Sequence, residues 1–225
     1  VESLEGALLA EQFGADRIEL CSALHEGGLS PSTALVKQIK DQTEMPIYAM
    51  IRPVAGGFVY SDKDLDLMEL EIVELARAGV QGVVFGVLND DNQLDLRANA
   101  RLITKAKEQG LEPVCHRAFD FTPEPSAALQ QIIDLGFKRL LTSGQEPKAI
   151  DGIDCIKRLH REAQGKIEIM AGSGVAPENM PTFLNSKIDA VHFTVGAFPE
   201  SLALGMGARL ISDAQKVEAI MKFKA

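Results

Sequence analysis

The sequence predicts an α/β protein with a parallel sheet, and two observations carry that prediction. Short apolar or β-branched runs alternate with amphipathic stretches of helical length, which is the pattern of repeated βα units. Glycine falls where a helical pattern gives way to the next apolar run, in FGADRIEL, AGVQGVVFG, QGLEPVCH and LGFKRLLTSG. A residue just past a helix end often takes the left-handed backbone that a β-carbon resists.

Taken in order, Val1-Glu2-Ser3 reads as the tail of a strand, with Ser3 placed to cap the helical pattern Leu4–Phe13. Strand Arg17–Cys21 precedes helix Pro31–Gln42, and strand Pro46–Arg52 precedes helix Asp62–Ala78. Gly82–Gly86 is followed by helix Leu96–Gln109, Glu112–Arg117 by Pro125–Leu135, and Arg139–Ser143 by Ala149–Ala163. Lys166–Ala171 with helix Pro177–Leu184, then Ala190–Val195 with helix Ser212–Lys222, complete the pattern. The seven strands and the opening stub make eight βα units, so the expected architecture is a single TIM (β/α)8 barrel domain over residues 1–225, its first strand largely outside the chain. A doubly wound sheet is the competing arrangement, but the glycine-rich first turn that its nucleotide-binding members use is missing.

Composition narrows the function classes. The chain has 225 residues and a net charge of −9, with 46% hydrophobic and 24% charged residues, which is the balance of an ordinary globular protein and not of a disordered one. An acidic surface and few aromatics argue against nucleic-acid binding. No run is long and apolar enough to span a membrane, and the N-terminus lacks the basic, apolar and small-residue regions of a signal peptide. Cys21, Cys115 and Cys155 are widely spaced, with no C-x-x-C among them, so reduced thiols in the cytoplasm are expected.

Barrel enzymes place their chemistry at the C-terminal strand ends. Strand alternation turns Glu19 and Cys21 to the barrel interior, aligns Met50 with Arg52, and sends Cys115 outward beside an inward His116. Glu19, Arg52, His116 and Asp120 are therefore the candidate catalytic residues, with Glu19 or His116 as general acid or base and Arg52 as an anion clamp. Each also has a structural reading: a Glu19–Arg52 ion pair, a satisfied core histidine, a helix cap at Asp120, and a local salt bridge for the adjacent Arg117. Gly172-Ser173-Gly174, Gly196 and the Ser143-Gly144 turn are candidate phosphate or anion donors, or simply tight turns. Cys21 with the inward Met50 offers soft ligands of the kind that select Cu(I).

Several motifs together resemble one family. Asp16-Arg17-Ile18-Glu19-Leu20-Cys21, Glu26-Gly27-Gly28 with Pro31-Ser32, Ile51-Arg52-Pro53, Tyr60-Ser61-Asp62, His116-Arg117-Ala118-Phe119-Asp120 and Leu141-Thr142-Ser143-Gly144 are similar, in that order, to the motifs of the CutC copper homeostasis family. The resemblance runs from Val1 to about Gly196. It implies a cytoplasmic TIM barrel, often dimeric, linked to copper tolerance and to Cu(I) binding through two cysteines at the ends of the first two strands. Cys21 matches the second of these, and the first would fall before Val1. Over Phe198–Ala208 the tail departs from the family, although Met206-Gly207 resembles its Met-Gly pair. The alternative function is a barrel enzyme acting on a small phosphorylated or carboxylated metabolite.

Overall fold

The computed structural model describes residues 1–198 and 210–224; Met206-Gly207 lie outside the described residues. Seven parallel strands pair in strict chain order: β1 (Ile18–Leu20), β2 (Ile47–Met50), β3 (Gly82–Phe85), β4 (Glu112–Cys115), β5 (Arg139–Thr142), β6 (Glu168–Gly172) and β7 (Ala190–His192). Helices α1 (Leu4–Gln12), α2 (Thr33–Lys40), α3 (Asp62–Ala78), α4 (Leu96–Glu108), α5 (Pro125–Leu135), α6 (Ile153–Ala163) and α7 (Met180–Ser186) alternate with them. A two-residue antiparallel pair, β8 (Gly196–Ala197) with β9 (Ile211–Ser212), precedes the last helix α8 (Ala214–Met221). The strands are shorter at their ends than the apolar runs suggested, because the terminal residues already turn into loops.

The sheet curls into an open barrel. Where an eighth strand would adjoin β1, the Val1 ammonium donates to Glu19 O at 2.8 Å and Val1 O accepts from Cys21 N at 3.0 Å. That is parallel strand pairing, as the opening stub suggested. A cavity of about 780 Å³ lies in the opening between β7 and β1, lined among others by Glu19, Val191, His192, Phe183 and Ile220.

Period-two alternation divides the core in two. Ile18, Leu20, Ile47, Ala49, Ile51, Val83, Phe85 and Cys115 pack outward against the helices. Cys21, Tyr48, Met50, Val84, Val114, Leu141 and Met170 fill the interior as a separate buried cluster. Below that cluster, at the N-terminal end of the strands, lies a layer of partly buried charge. Tyr48 Oη donates to Glu112 Oε2 at 2.6 Å, and Arg139 bridges Glu112 at 2.7 Å and Glu168 at 2.9 Å. Arg17 closes the chain by pairing with Glu168, and the Arg139 guanidinium lies 4.8 Å from the centre of the Tyr48 ring. The barrel floor is thus an ion network in which each charge has a partner, the condition for burying charge at tolerable cost.

Ser3, Ser32, Ser61 and Asp95 cap their helices through side-chain oxygens, and Ser61 forms a full capping box with Asp64. One glycine contact fixes a loop crossing: a Cβ on Gly144, whose φ is +72°, would run into the backbone of Gly152. Gly144→Ala is expected to cost about 2 kcal/mol or more in urea unfolding, whereas Gly165→Ala, at the same φ of +72° but facing open space, costs about 1 kcal/mol. Equal losses would show that the crossing is not tight.

Candidate functional site

At the C-terminal end of the barrel, the interior positions past β2 and β4 carry Arg52 and His116, each only 4% exposed. The chain places them there by alternation: Arg52 follows Met50 by two residues, and His116 follows Val114 by two. Between them Gly86 follows β3, and the missing side chain leaves room for the His116 ring, whose Nδ1 is 3.0 Å from where a Cβ would stand. Phe58, on the long loop after β2, covers both. Its ring centre lies 4.9 Å from that of His116 and 5.3 Å from the Arg52 guanidinium carbon.

Arg52 makes no salt bridge among the described residues. It donates through Nη1 to Glu26 O at 2.8 Å and Gly28 O at 3.0 Å, and through Nη2 to Gly56 O at 2.7 Å. Its backbone N–H donates to Ser30 Oγ at 2.9 Å, and Ser30 Oγ donates in turn to Glu71 at 2.6 Å. Burial lifts the Glu71 carboxyl above its ordinary range. The guanidinium thereby ties the loop around Leu24–Glu26 to the loop after β2. Its Nε–H is buried and has no acceptor among the described residues.

His116 Nδ1 accepts from Ala118 N at 3.2 Å, which puts the ring proton on Nε2. That Nε2 is likewise buried without a partner among the described residues. Burial, helped by the nearby Arg52 charge, pushes the imidazole down to about 3. The ring is therefore neutral at physiological pH, a hydrogen-bond donor and a poor base. Tyr60 Oη stands beside Arg52, whose charge opposes the upward push of burial on its pKa, and no other hydrogen-bond partner reaches it among the described residues.

Asp120 belongs to a different constellation. Its carboxylate accepts from Arg117 Nε at 2.8 Å, Thr142 Oγ1 at 2.5 Å, Ser143 N at 3.0 Å, Ser143 Oγ at 2.9 Å and Gln145 N at 3.2 Å. Five donor contacts occupy the Asp120 carboxylate and leave no lone pair to spare for a substrate proton. The helix-cap reading of Asp120 is corrected as well, because α5 starts at Pro125 with no side-chain cap at Glu124. The local salt bridge expected of Arg117 is the one to Asp120.

This arrangement also accounts for the Ser143-Gly144 turn. Its hydroxyl and N–H donors do bind an anion, and that anion is Asp120; Gly144 N donates to Thr142 Oγ1 at 2.9 Å. The other glycines have packing partners too. The space of a Gly172 side chain is filled by Leu141, and that of Gly174 by the Lys148 stem at 3.1 Å. Ser173, at φ +86°, donates to Pro147 O at 2.7 Å. Gly196 sits outside the parallel sheet, where its lack of a side chain lets β9 approach, and its carbonyl accepts from Lys216 at 2.8 Å.

Glu19 does not join the mouth, and the suggested Glu19–Arg52 ion pair does not form. Glu19 stands opposite Tyr48 in the strand register, four residues below Arg52, or about 13 Å along the strand. It lines the cavity between β7 and β1 with Arg17 and His192. Burial holds the His192 imidazole below its ordinary range, against the opposing pull of Glu19.

Sulfur is gathered in the layer between floor and mouth. Cys21 Sγ and the Met50 methyl both lie 3.4 Å from the position of a Cβ on Gly28, so the two side chains share one neighbour. The Cys21 thiol donates to Val1 O at 3.6 Å, and burial pushes its pKa up to about 11 against the pull of the N-terminal ammonium. No group of three or more His, Cys, Asp and Glu able to hold a metal occurs among the described residues. Cys21 and Met50 are the soft donors of this layer, of the thiol and thioether type that suits Cu(I). Cys115 packs toward the helices and Cys155 lies on α6, as alternation and helical pattern implied.

Sequence reasoning missed two features. The floor network was readable only as charges at the first inward positions of β4, β5 and β6. Tyr60 was visible as part of the Tyr60-Ser61-Asp62 motif, without a role at the site.

The architecture is that of a TIM-barrel-like α/β protein with a polar C-terminal mouth and a sulfur-bearing interior. The CutC family model matches residues 1–197, and the chain belongs to the CutC family. A CutC family protein of Glaesserella parasuis serovar 5 is 40% identical over 235 residues, covering 99% of this chain and 96% of its own. The human copper homeostasis protein cutC homolog is 41% identical over 82% of this chain and 67% of its own. The crystal structure of a putative copper homeostasis protein CutC from Streptococcus agalactiae superposes with a TM-score of 0.80 at 32% identity, covering 85% of this chain and 94% of that one.

The buried neutral imidazole has a measurable consequence. The unfolded chain protonates His116 near 6.5 and the folded chain only near 3, so stability is lost as pH falls between those values. His116→Asn, which preserves an acceptor for Ala118 N–H, is expected to remove that loss. The stability gap between wild type and variant in urea should shrink by about 2 kcal/mol from pH 7 to pH 5. A gap independent of pH would mean that His116 titrates normally.

Proposed function

We propose that the protein serves copper homeostasis, the role named for its human and mouse relatives, and that it does so in the cytoplasm by holding Cu(I) at Cys21. The observation that carries this reading is that Cys21 Sγ and the Met50 methyl flank the same neighbour, Gly28, in the barrel interior, at the strand end where the family resemblance places a cysteine ligand. Cu(I) is a soft cation for which thiolate and thioether sulfur compete well against the oxygen donors around it. Binding displaces the thiol proton, and burial beneath the mouth shields the ion from exchange. Copper here is cargo, and the surrounding apolar layer of Val84, Val114, Leu141 and Met170 offers it no competing hard ligand. A second copy of the chain completes a homodimer in this reading.

Competition of Cu(I) against a chelator, under reducing and anaerobic conditions, tests the site. One equivalent is expected to bind the wild type. Cys21→Ser should weaken it at least about a hundredfold, Met50→Leu less, and Glu19→Gln not at all. Unchanged affinity in Cys21→Ser would remove the proposal.

A second reading rests on the mouth. Three buried donors without acceptors among the described residues, on Arg52, His116 and Tyr60, support an enzyme or binding protein for a small anionic metabolite. In that reading Arg52 is the anion clamp, the neutral His116 polarises an oxygen as a donor, and Asp120 positions the Ser143 loop without exchanging a proton.

A further inference from the structure

The second reading leaves open which anion the mouth accepts, and the geometry narrows it. Arg52 is a buried cation with no carboxylate partner among the described residues, in a protein whose other interior arginines, Arg17 and Arg139, are paired with glutamates. Uncompensated buried charge is costly, so a site of this kind is completed by a counterion. Three backbone carbonyls take the outer N–H groups of Arg52 and leave Nε–H directed elsewhere. The backbone N–H of Ala118 fixes the tautomer of His116, so its free nitrogen is a donor as well. Tyr60 Oη, beside Arg52, is a third group that can donate. Phe58 touches both Arg52 and His116, and next to it stands Phe121, 5.5 Å away ring to ring and 60% exposed. An exposed aromatic beside buried donors is a surface for the apolar body of a ligand.

We propose that Arg52, His116 and Tyr60 form a receptor for the carboxylate of a small organic monoanion whose apolar part rests against Phe121. This rests on the second reading above, that the mouth takes an anion. The charge of the site selects within that class. His116 is uncharged, so the donors carry one positive charge in total. A carboxylate neutralises it, whereas a phosphate dianion would leave a net negative charge beside buried side chains. The Ser143 and Gln145 donors of the barrel rim are in any case engaged by Asp120.

The test is calorimetric titration and thermal shift of the full chain with benzoate, pyruvate, inorganic phosphate and chloride at equal ionic strength. Parallel measurements use Tyr60→Phe and His116→Asn. The first removes one hydroxyl. The second retains an acceptor for Ala118 N–H and lacks the Nε2 donor. Benzoate or pyruvate is expected to bind and stabilise the wild type, with affinity reduced about tenfold in each variant, and phosphate to act no differently from chloride. Phosphate binding without carboxylate binding would overturn the carboxylate assignment and leave the anion reading standing. Carboxylate binding equally strong in both variants would place the receptor elsewhere and overturn the proposal. No response to any of the anions would overturn both the proposal and the reading beneath it. Phe121→Ala separates the apolar contact: weaker benzoate binding with unchanged pyruvate binding is expected, and a loss shared by both would contradict its role.

Discussion

The two-residue period of a β-strand, applied to seven strands in one register system, governs this molecule. It sends every second side chain into a barrel interior with room for only a few layers. Each layer then has its own chemistry. The floor is a closed set of ion pairs around Arg139, the middle is apolar and sulfur-bearing, and the mouth carries buried donors that lack acceptors. A shift of one residue in any strand would exchange these side chains for the helix-facing set, so the layering and the fold are the same constraint.

The layers also divide the two chemistries that the family and the site suggest. Soft donors lie in the middle, where Cys21 and Met50 share Gly28 as a neighbour. The site proposed for an anion lies above, where Arg52 and His116 meet under Phe58. Arg52 couples the two levels, because Gly28, whose carbonyl it holds, is also the residue packed against Cys21 and Met50. An anion drawn to Arg52 would thus act on the loop that covers the sulfur pair.

Much of this was legible in the sequence because alternation is a strong rule. The inward positions of Cys21, Met50, Arg52 and His116, the outward position of Cys115, and the strand-like pairing of Val1 all follow from counting in twos. The bounds of α3 and α5 coincide with the apolar periodicity that marked them. Counting does not give height along the barrel axis, which depends on the stagger between strands. That is why Glu19 was grouped with Arg52 although its register partner is Tyr48. Nor does a sequence show which donors already have an acceptor. Ser143 and Gly144 read as donors for an external anion, and only the folded chain shows that Ser143 turns its donors to Asp120 while Gly144 N–H turns to Thr142.

The central claim is that copper belongs to the sulfur layer and not to the polar mouth. X-ray absorption spectroscopy at the copper edge of the Cu(I)-loaded protein tests this most directly, since sulfur and imidazole nitrogen scatter differently. The account requires a low-coordinate ion with sulfur neighbours only, and the same spectrum in His116→Asn. Imidazole scattering that disappears in His116→Asn, or a spectrum unchanged in Cys21→Ser, would contradict it.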